Sequence, residues 1–149
     1  MAADKKSVKD ALEKLLADSY ILYLKTQNYH WNVTGPNFAA LHLLFEQQYT
    51  DLQLAVDTIA ERIRALGYFA PGSFAAYSKL ANIKEAGGNT PDANTMLKNL
   101  AKDQETIVKT SLKVLEAARA ADDEITISLI SDRMTIHEKN AWMLESSIS

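Results

Sequence analysis

Residues 37–67 read NFAALHLLFEQQYTDLQLAVDTIAERIRALG. Apolar side chains recur at Phe38, Leu41, Phe45, Tyr49, Leu52, Val56, Ile59, Ile63 and Leu66, in steps of three or four. That spacing puts one apolar stripe on a long helix and marks a helix bundle. Asn37 suits the N-cap and Gly67 the position just past the C-terminus. Outward from this helix, all five glycines and three prolines fall between long periodic segments, at 35–36, 67, 71–72, 87–88 and 91. Glycine and proline are the strongest local breakers. They leave one run before Gly35, the quoted run, and one long run after Pro91.

The first run is expected to become helical near Ser7. There Ser7 and Asp10 make a capping pattern, and Val8, Leu12, Leu15 and Leu16 follow at helical spacing. Residues 1–6 would then be a short tail and residues 7–149 one domain. The tight turn at Gly35-Pro36 makes the first two helices antiparallel neighbours. The final run is too long for one helix, and Ala121-Asp122-Asp123-Glu124 is its expected break, since acids suit a helix N-terminus. Ser73 to Leu80 can form a short helix inside the long connection. The fold class is all-α, a four-helix bundle with one long crossover carrying a short helix, which is the ferritin-like connectivity.

Composition narrows the function. The chain has 149 residues, 47% apolar and 23% charged, with no cysteine. Its size and composition fit one globular domain with a sizeable core. Disulfides and thiolate metal sites are excluded. A formal net charge of -3 disfavours a generally basic nucleic-acid binder. No apolar stretch is long enough for a membrane span, and no apolar segment follows the N-terminus as in a secretory signal, so the expected location is the cytoplasm.

Two spacings on the second helix carry chemistry. His42 with Glu46, and Asp57 with Glu61, are each four residues apart and share a face. All four fall within a sector of roughly 100°. Yet Glu46 and Asp57 are about 16 Å apart along the axis, at about 1.5 Å per residue. One helix cannot bring them to one ion. A second copy can, placed antiparallel about a two-fold axis crossing near residue 51 or 52. That operation sets Glu46 opposite Asp57 and His42 opposite Glu61 together, as an isologous dimer requires. His30 lies about as far before the turn as His42 lies after it. One chain would then supply His30, His42 and Glu46, and the other Asp57 and Glu61.

Imidazoles mixed with carboxylates, with open positions, suit iron or another divalent first-row metal, and zinc competes for the same set. Magnesium and calcium prefer oxygen alone. The plainer alternative treats each pair as an accident of a helix surface, with His42 paired to Glu46 and Glu61 paired to Arg62 or Arg64. Against it, Asp57 beside Glu61 repels unless a cation intervenes. The E-x-x-H pattern of ferritins that bind metal within one subunit is absent.

The stretch His30 to Gly67 closely resembles the Dps family of mini-ferritins. The features are His30-Trp31-Asn32, Gly35, Asn37-Phe38, His42, Asp57 and Ala60-Glu61-Arg62. Asp132-Arg133, His137-Glu138-Lys139 and Ala141-Trp142-Met143-Leu144 look like that family too. The resemblance implies a hollow homo-dodecamer whose ferroxidase centres lie at two-fold interfaces. Ligands would be His30, His42, Asp57 and Glu61, with a further carboxylate, often Asp, falling on Glu46. It implies oxidation of Fe(II), usually by hydrogen peroxide and otherwise by O2, and storage of ferric mineral in the cavity. Trp31, next to a ligand, would intercept stray oxidising equivalents or serve as an interface aromatic. Trp142 and the tyrosines read as packing. Asp123 and Asp132 match acidic pore positions in similar proteins, although Ser128 stands where an Asp is common, and Asp123 also reads as a helix-start acid. Many members bind DNA through a lysine-rich tail. Here only Lys5, Lys6 and Lys9 are available, so weak or absent DNA binding is expected. Three functions compete: an iron-oxidising storage enzyme, a DNA-condensing stress protein with secondary iron chemistry, and a purely structural bundle.

Overall fold

The computed structural model describes the backbone of residues 2–149 and the side chains of residues 4–149. Five helices follow one another: α1 Ala2–Asn32, α2 Phe38–Ala65, α3 Phe74–Leu80, α4 Ala93–Ala120 and α5 Glu124–Ser146. α1 packs on α2, α4 on α5, and α1 on both α4 and α3. The four long helices enclose a core in which Leu12, Leu15, Phe45, Leu52, Ile59, Leu100, Ile107 and Ile130 are sealed from solvent. Phe38, expected in that core, is partly exposed and instead stacks on His42, ring centroids 5.0 Å apart.

The helix ends follow local chemistry. Gly67 has φ of 99°, and the end of α2 closes with Gly67 N–H on the Arg64 carbonyl and Tyr68 N–H on that of Ile63. This double closure needs a residue with positive φ, which glycine supplies without steric cost. α4 ends the same way, but with Asp122 at φ of 52°. There Asp122 N–H reaches Arg119 and Asp123 N–H reaches Ala118. Ser73, Asp92 and Asp123 each accept a backbone N–H three residues on, capping α3, α4 and α5. Asn37 stands at the N-cap of α2 but makes no side-chain cap.

α1 does not begin at Ser7. The expected tail is helical from Ala2 onward, and Met1 lies outside the described residues. Alanine and lysine favour helix, and Lys6 pairs with Asp10 and Lys9 with Glu13, each one turn on. The capping pattern at Ser7 therefore sits inside a helix.

The crossover is fastened to the bundle by buried charge. Asp18, fully buried on α1, accepts from the backbone N–H of Asn82 at 2.6 Å and of Ile83 at 2.9 Å. Its other oxygen accepts from Thr110 on α4 at 2.6 Å. Burial pushes the Asp18 carboxyl upward, and these hydrogen bonds oppose the shift. Lys25 donates to the Lys84 carbonyl and pairs with Asp103 of α4 at 2.8 Å. Residues 82–84 thus lie across α1 and α4, leaving the outer face of α2 uncovered by the crossover.

Candidate metal centre

His30 lies in the last turn of α1 and His42 in the second turn of α2, and the turn through Gly35, at φ of 110°, folds one back on the other. Their rings stack with centroids 3.7 Å apart and planes inclined by 15°. Each Nδ1 lies 2.7 Å from the other residue's backbone carbonyl. A carbonyl can only accept, so both Nδ1 atoms carry hydrogen, which leaves Nε2 of each ring as the nitrogen able to offer a lone pair. Such a lock on the far nitrogen is what orients metal-binding histidines. Glu46, one turn beyond His42, brings Oε1 to 3.7 Å from His30 Nε2. Ligand atoms of His30, His42 and Glu46 all lie within 4.8 Å of one another. His30 is buried, His42 partly so, and Glu46 opens to solvent. Tyr49 meets the His30 ring edge-on, centroids 5.1 Å apart.

Asp57 and Glu61 do not join this group within one chain. Both are exposed on α2, and among the described residues neither has a cationic partner. The alternative pairing of Glu61 is not formed. Arg62 donates to Thr126 and Asp123, both at 2.9 Å, while Arg64 bonds the Tyr68 carbonyl and lies over the Phe69 ring. On the same outward side of α2, Leu43 is exposed and Leu54 is 70% exposed. Exposed apolar side chains flanking these carboxylates suit an interface more than a solvated face.

Trp31 is 59% exposed beside His30. Trp142 is 64% exposed, so within one chain it is not the packing residue expected. Asp123 caps α5 and pairs with Arg62, and these bonds hold its carboxyl below the usual range against the opposing pull of burial. That is its helix-start role. Asp132 and Ser128 are exposed.

A buried polar network was not foreseen. Arg133 forks onto both oxygens of Asp51, at 3.1 and 2.9 Å, and donates to His137 Nε2 at 3.2 Å. His137 Nδ1 lies 2.7 Å from Gln104 Oε1. Burial, with the Arg133 charge beside it, pushes His137 down to about 3. The neutral ring therefore ties α5 to α4, and Arg133 ties α5 to α2. The only sequence signal was the Asp-Arg and His-Glu-Lys resemblance near residues 132–139.

A family model of the ferritin-like domain matches residues 9–149. The chain is 38% identical over 145 residues to DNA protection during starvation protein 2 of Bacillus anthracis, covering 97% of this chain and 98% of that one. It superposes on the crystal structure of a Dps protein from Bacillus brevis with a TM-score of 0.94 and 35% identity, over 99% and 98% of the two chains. This chain belongs to the Dps family. A Dps protein from Vibrio cholerae, described as a member of the ferritin-like diiron-carboxylate superfamily, is equally similar: TM-score 0.94, 36% identity, over 99% and 92% of the chains. Within the Dps frame, no helix among the described residues is long and apolar enough to cross a membrane.

Proposed function

We propose that this Dps chain is an iron-storage and detoxification protein whose ferroxidase sites are each completed by two copies of the chain. The split donor set carries this reading. His30, His42 and Glu46 converge on one side of a protomer, while Asp57 and Glu61 stand unpaired further along the same helix. An antiparallel partner α2, seated through Leu43 and Leu54, brings the two halves together. The imidazoles offer Nε2 lone pairs, and the carboxylates offset the charge of the Fe(II) substrate. Glutamate at 46 is one methylene longer than aspartate, and its oxygen already reaches the His30 ring.

Two Fe(II) ions surrender one electron each to hydrogen peroxide. Its O–O bond breaks, and two protons complete two waters. The Fe(III) formed passes to mineral inside a dodecameric shell. Anaerobic peroxide is expected to oxidise Fe(II) faster than air does, followed by absorbance in the near ultraviolet, on a particle sized by light scattering near twelve chains. Absence of Fe(II) oxidation with either oxidant, or a stable monomer at physiological salt, contradicts the reading. Zinc, which fits the same donors, is expected to inhibit.

DNA condensation receives little support from the surface. Of Lys5, Lys6 and Lys9, Lys6 is paired with Asp10, and Lys9 with Asp10 and Glu13. Gel shift at physiological salt is expected to show no tight complex, and any low-salt complex should weaken steeply as salt rises. A complex that survives physiological salt would return DNA to the centre of the function.

A further inference from the structure

We infer that the middle of the bundle is a binding site for water, a small cluster of bound molecules held between Thr26 of α1, Gln48 of α2, Gln104 of α4 and Asn140 of α5, with Arg133 at its edge.

One polar side chain interrupts the buried stripe of each long helix. Thr26 stands between Leu22 and Tyr29 on α1, Gln48 between Phe45 and Leu52 on α2, and Gln104 between Leu100 and Ile107 on α4. On α5 the interruption is His137, flanked along the stripe by Arg133 and Asn140. Thr26, Gln104 and His137 are sealed from solvent, and Gln48 is buried with them.

The four interruptions share one level. The ring pairs His30–His42 and Tyr23–Tyr49 align α1 with α2, so that Gln48 stands level with residue 24. The Asp18–Thr110 bond and the Lys25–Asp103 pair align α1 with α4, so that Gln104 stands level with that same residue. Leu22 and Thr26 flank it on the stripe of α1. The bond from His137 to Gln104 brings α5 to this height. The Arg133–Asp51 fork agrees, since on antiparallel helices it sets Gln48 level with the residue before His137.

Hydrogen bonds within the layer have a direction. A guanidinium only donates, so His137 Nε2, at 3.2 Å from Arg133, accepts, and His137 Nδ1 carries the hydrogen to Gln104 Oε1 at 2.7 Å. The other end of that amide, Gln104 Nε2, is then an N–H donor with no acceptor. Among the described residues, Gln48 Nε2 and Oε1, Asn140 Nδ2, Arg133 Nε and Thr26 Oγ1 are likewise buried and unpaired. Buried polar atoms in folded proteins are paired with protein groups or with ordered water, and exceptions are few. Here six unpaired atoms lie within about a turn of one level.

The occupant must both accept and donate. Gln48, Gln104, Asn140 and Arg133 present N–H groups, whereas Gln48 Oε1 needs a hydrogen, and the Thr26 hydroxyl does either. A metal ion finds no free imidazole nitrogen, since Arg133 and Gln104 hold both, and the Asp51 carboxylate is forked by Arg133. A halide accepts but cannot donate to Gln48 Oε1. It would also lie buried without a counterion, because Asp51 already matches the Arg133 charge. Water accepts two hydrogen bonds, donates two, and carries no charge. About one buried water per 27 residues is ordinary, so a small cluster is in scale with this chain. The bound molecules tie Thr26 and Gln48 into the Arg133–His137–Gln104 chain, which their own side chains do not reach.

Crystals of the assembled protein, grown once in chloride and once in bromide and diffracting well enough to show ordered solvent, test the site. Water is expected within hydrogen-bond distance of Gln48 and of Gln104 Nε2 in both. An anomalous bromide peak at that position overturns water in favour of an anion. A dry layer, with the Gln48 amide bonded directly to Gln104 or Asn140, overturns the site altogether. In solution, magnetic relaxation dispersion of oxygen-17 water counts long-lived internal waters. Gln48→Leu should lower that count by at least about one per chain, whereas Gln47→Leu, at the exposed neighbour, should leave it unchanged. An equal count in Gln48→Leu and the unmodified protein also overturns the proposal, and the crystal arm decides it if that variant does not fold.

Discussion

Shells reassembled from an equal mixture of Asp57→Ala and His30→Ala chains should oxidise Fe(II) with peroxide faster than shells of either parent. Each parent is expected to be at least about tenfold slower than the unmodified protein, since losing even an outer partner of a metal ligand costs about 10–100-fold in affinity or activity. In a mixed dimer, one site draws its histidine from the Asp57→Ala chain and its aspartate from the His30→Ala chain, and so is intact. The other site carries both defects. Random pairing about a two-fold axis leaves about one quarter of all sites intact, and activity should recover to about that fraction. If all ligands came from one chain, every site would carry a defect and nothing would recover. Mass spectrometry of the intact shells must show that chains have mixed. Mixed shells no faster than their parents would reject the shared site, and full activity in both parents would remove these residues from the reaction.

Acid should weaken the fold through His137. Its ring stays neutral in the folded chain down to about 3, held there by burial and by Arg133. In the unfolded chain a histidine takes up its proton near pH 6.5. Between these values the unfolded state binds more protons, so stability falls as pH falls, by about 1.4 kcal/mol per pH unit once well below 6.5. Across the whole window the loss reaches roughly 5 kcal/mol per chain, a large share of ordinary folding stability. Asp18 and Asp103 act in the opposite sense. Burial raises both carboxyls, so protonation relieves them in acid. Comparing the unmodified protein with His137→Gln cancels those carboxylates. Guanidinium unfolding at fixed protein concentration, from pH 7 down to 4, should give a shallower pH dependence for the variant, even if it is less stable at pH 7. Parallel pH profiles for the two proteins would show that His137 is not the group responsible.

Local sequence revealed most of the frame because the frame is set locally. Gly67 marks the end of α2, Ser73 the start of α3, and Asp123 the start of α5, since each acts on backbone groups within a few residues. Ser7 misled because a capping pattern carries no mark of whether a helix is already under way. The pairs His42 with Glu46 and Asp57 with Glu61 stood out by their spacing, and the proposal that a second chain joins them rests on axial distance alone. The lock between His30 and His42 was not legible, because it runs through main-chain carbonyls that no side-chain pattern reports. Asp18 and His137 escaped for a related reason. Apart from Arg133, one turn before His137, their partners lie between 33 and 92 residues away, and a polar residue looks the same in sequence whether buried with partners or solvated.

The two carbonyl bonds between His30 and His42 also act as a gauge of alignment. Each needs one ring nitrogen to meet one particular carbonyl across the turn, and a slip of α1 against α2 by a single residue would break both. Tyr23 and Tyr49 repeat the check seven residues along each helix. A helical hairpin that closed out of step would present no paired Nε2 atoms. On the proposed two-chain site, only correctly aligned copies would offer a metal-ready face to the neighbour, and the site would inspect the fold of the chain that carries it.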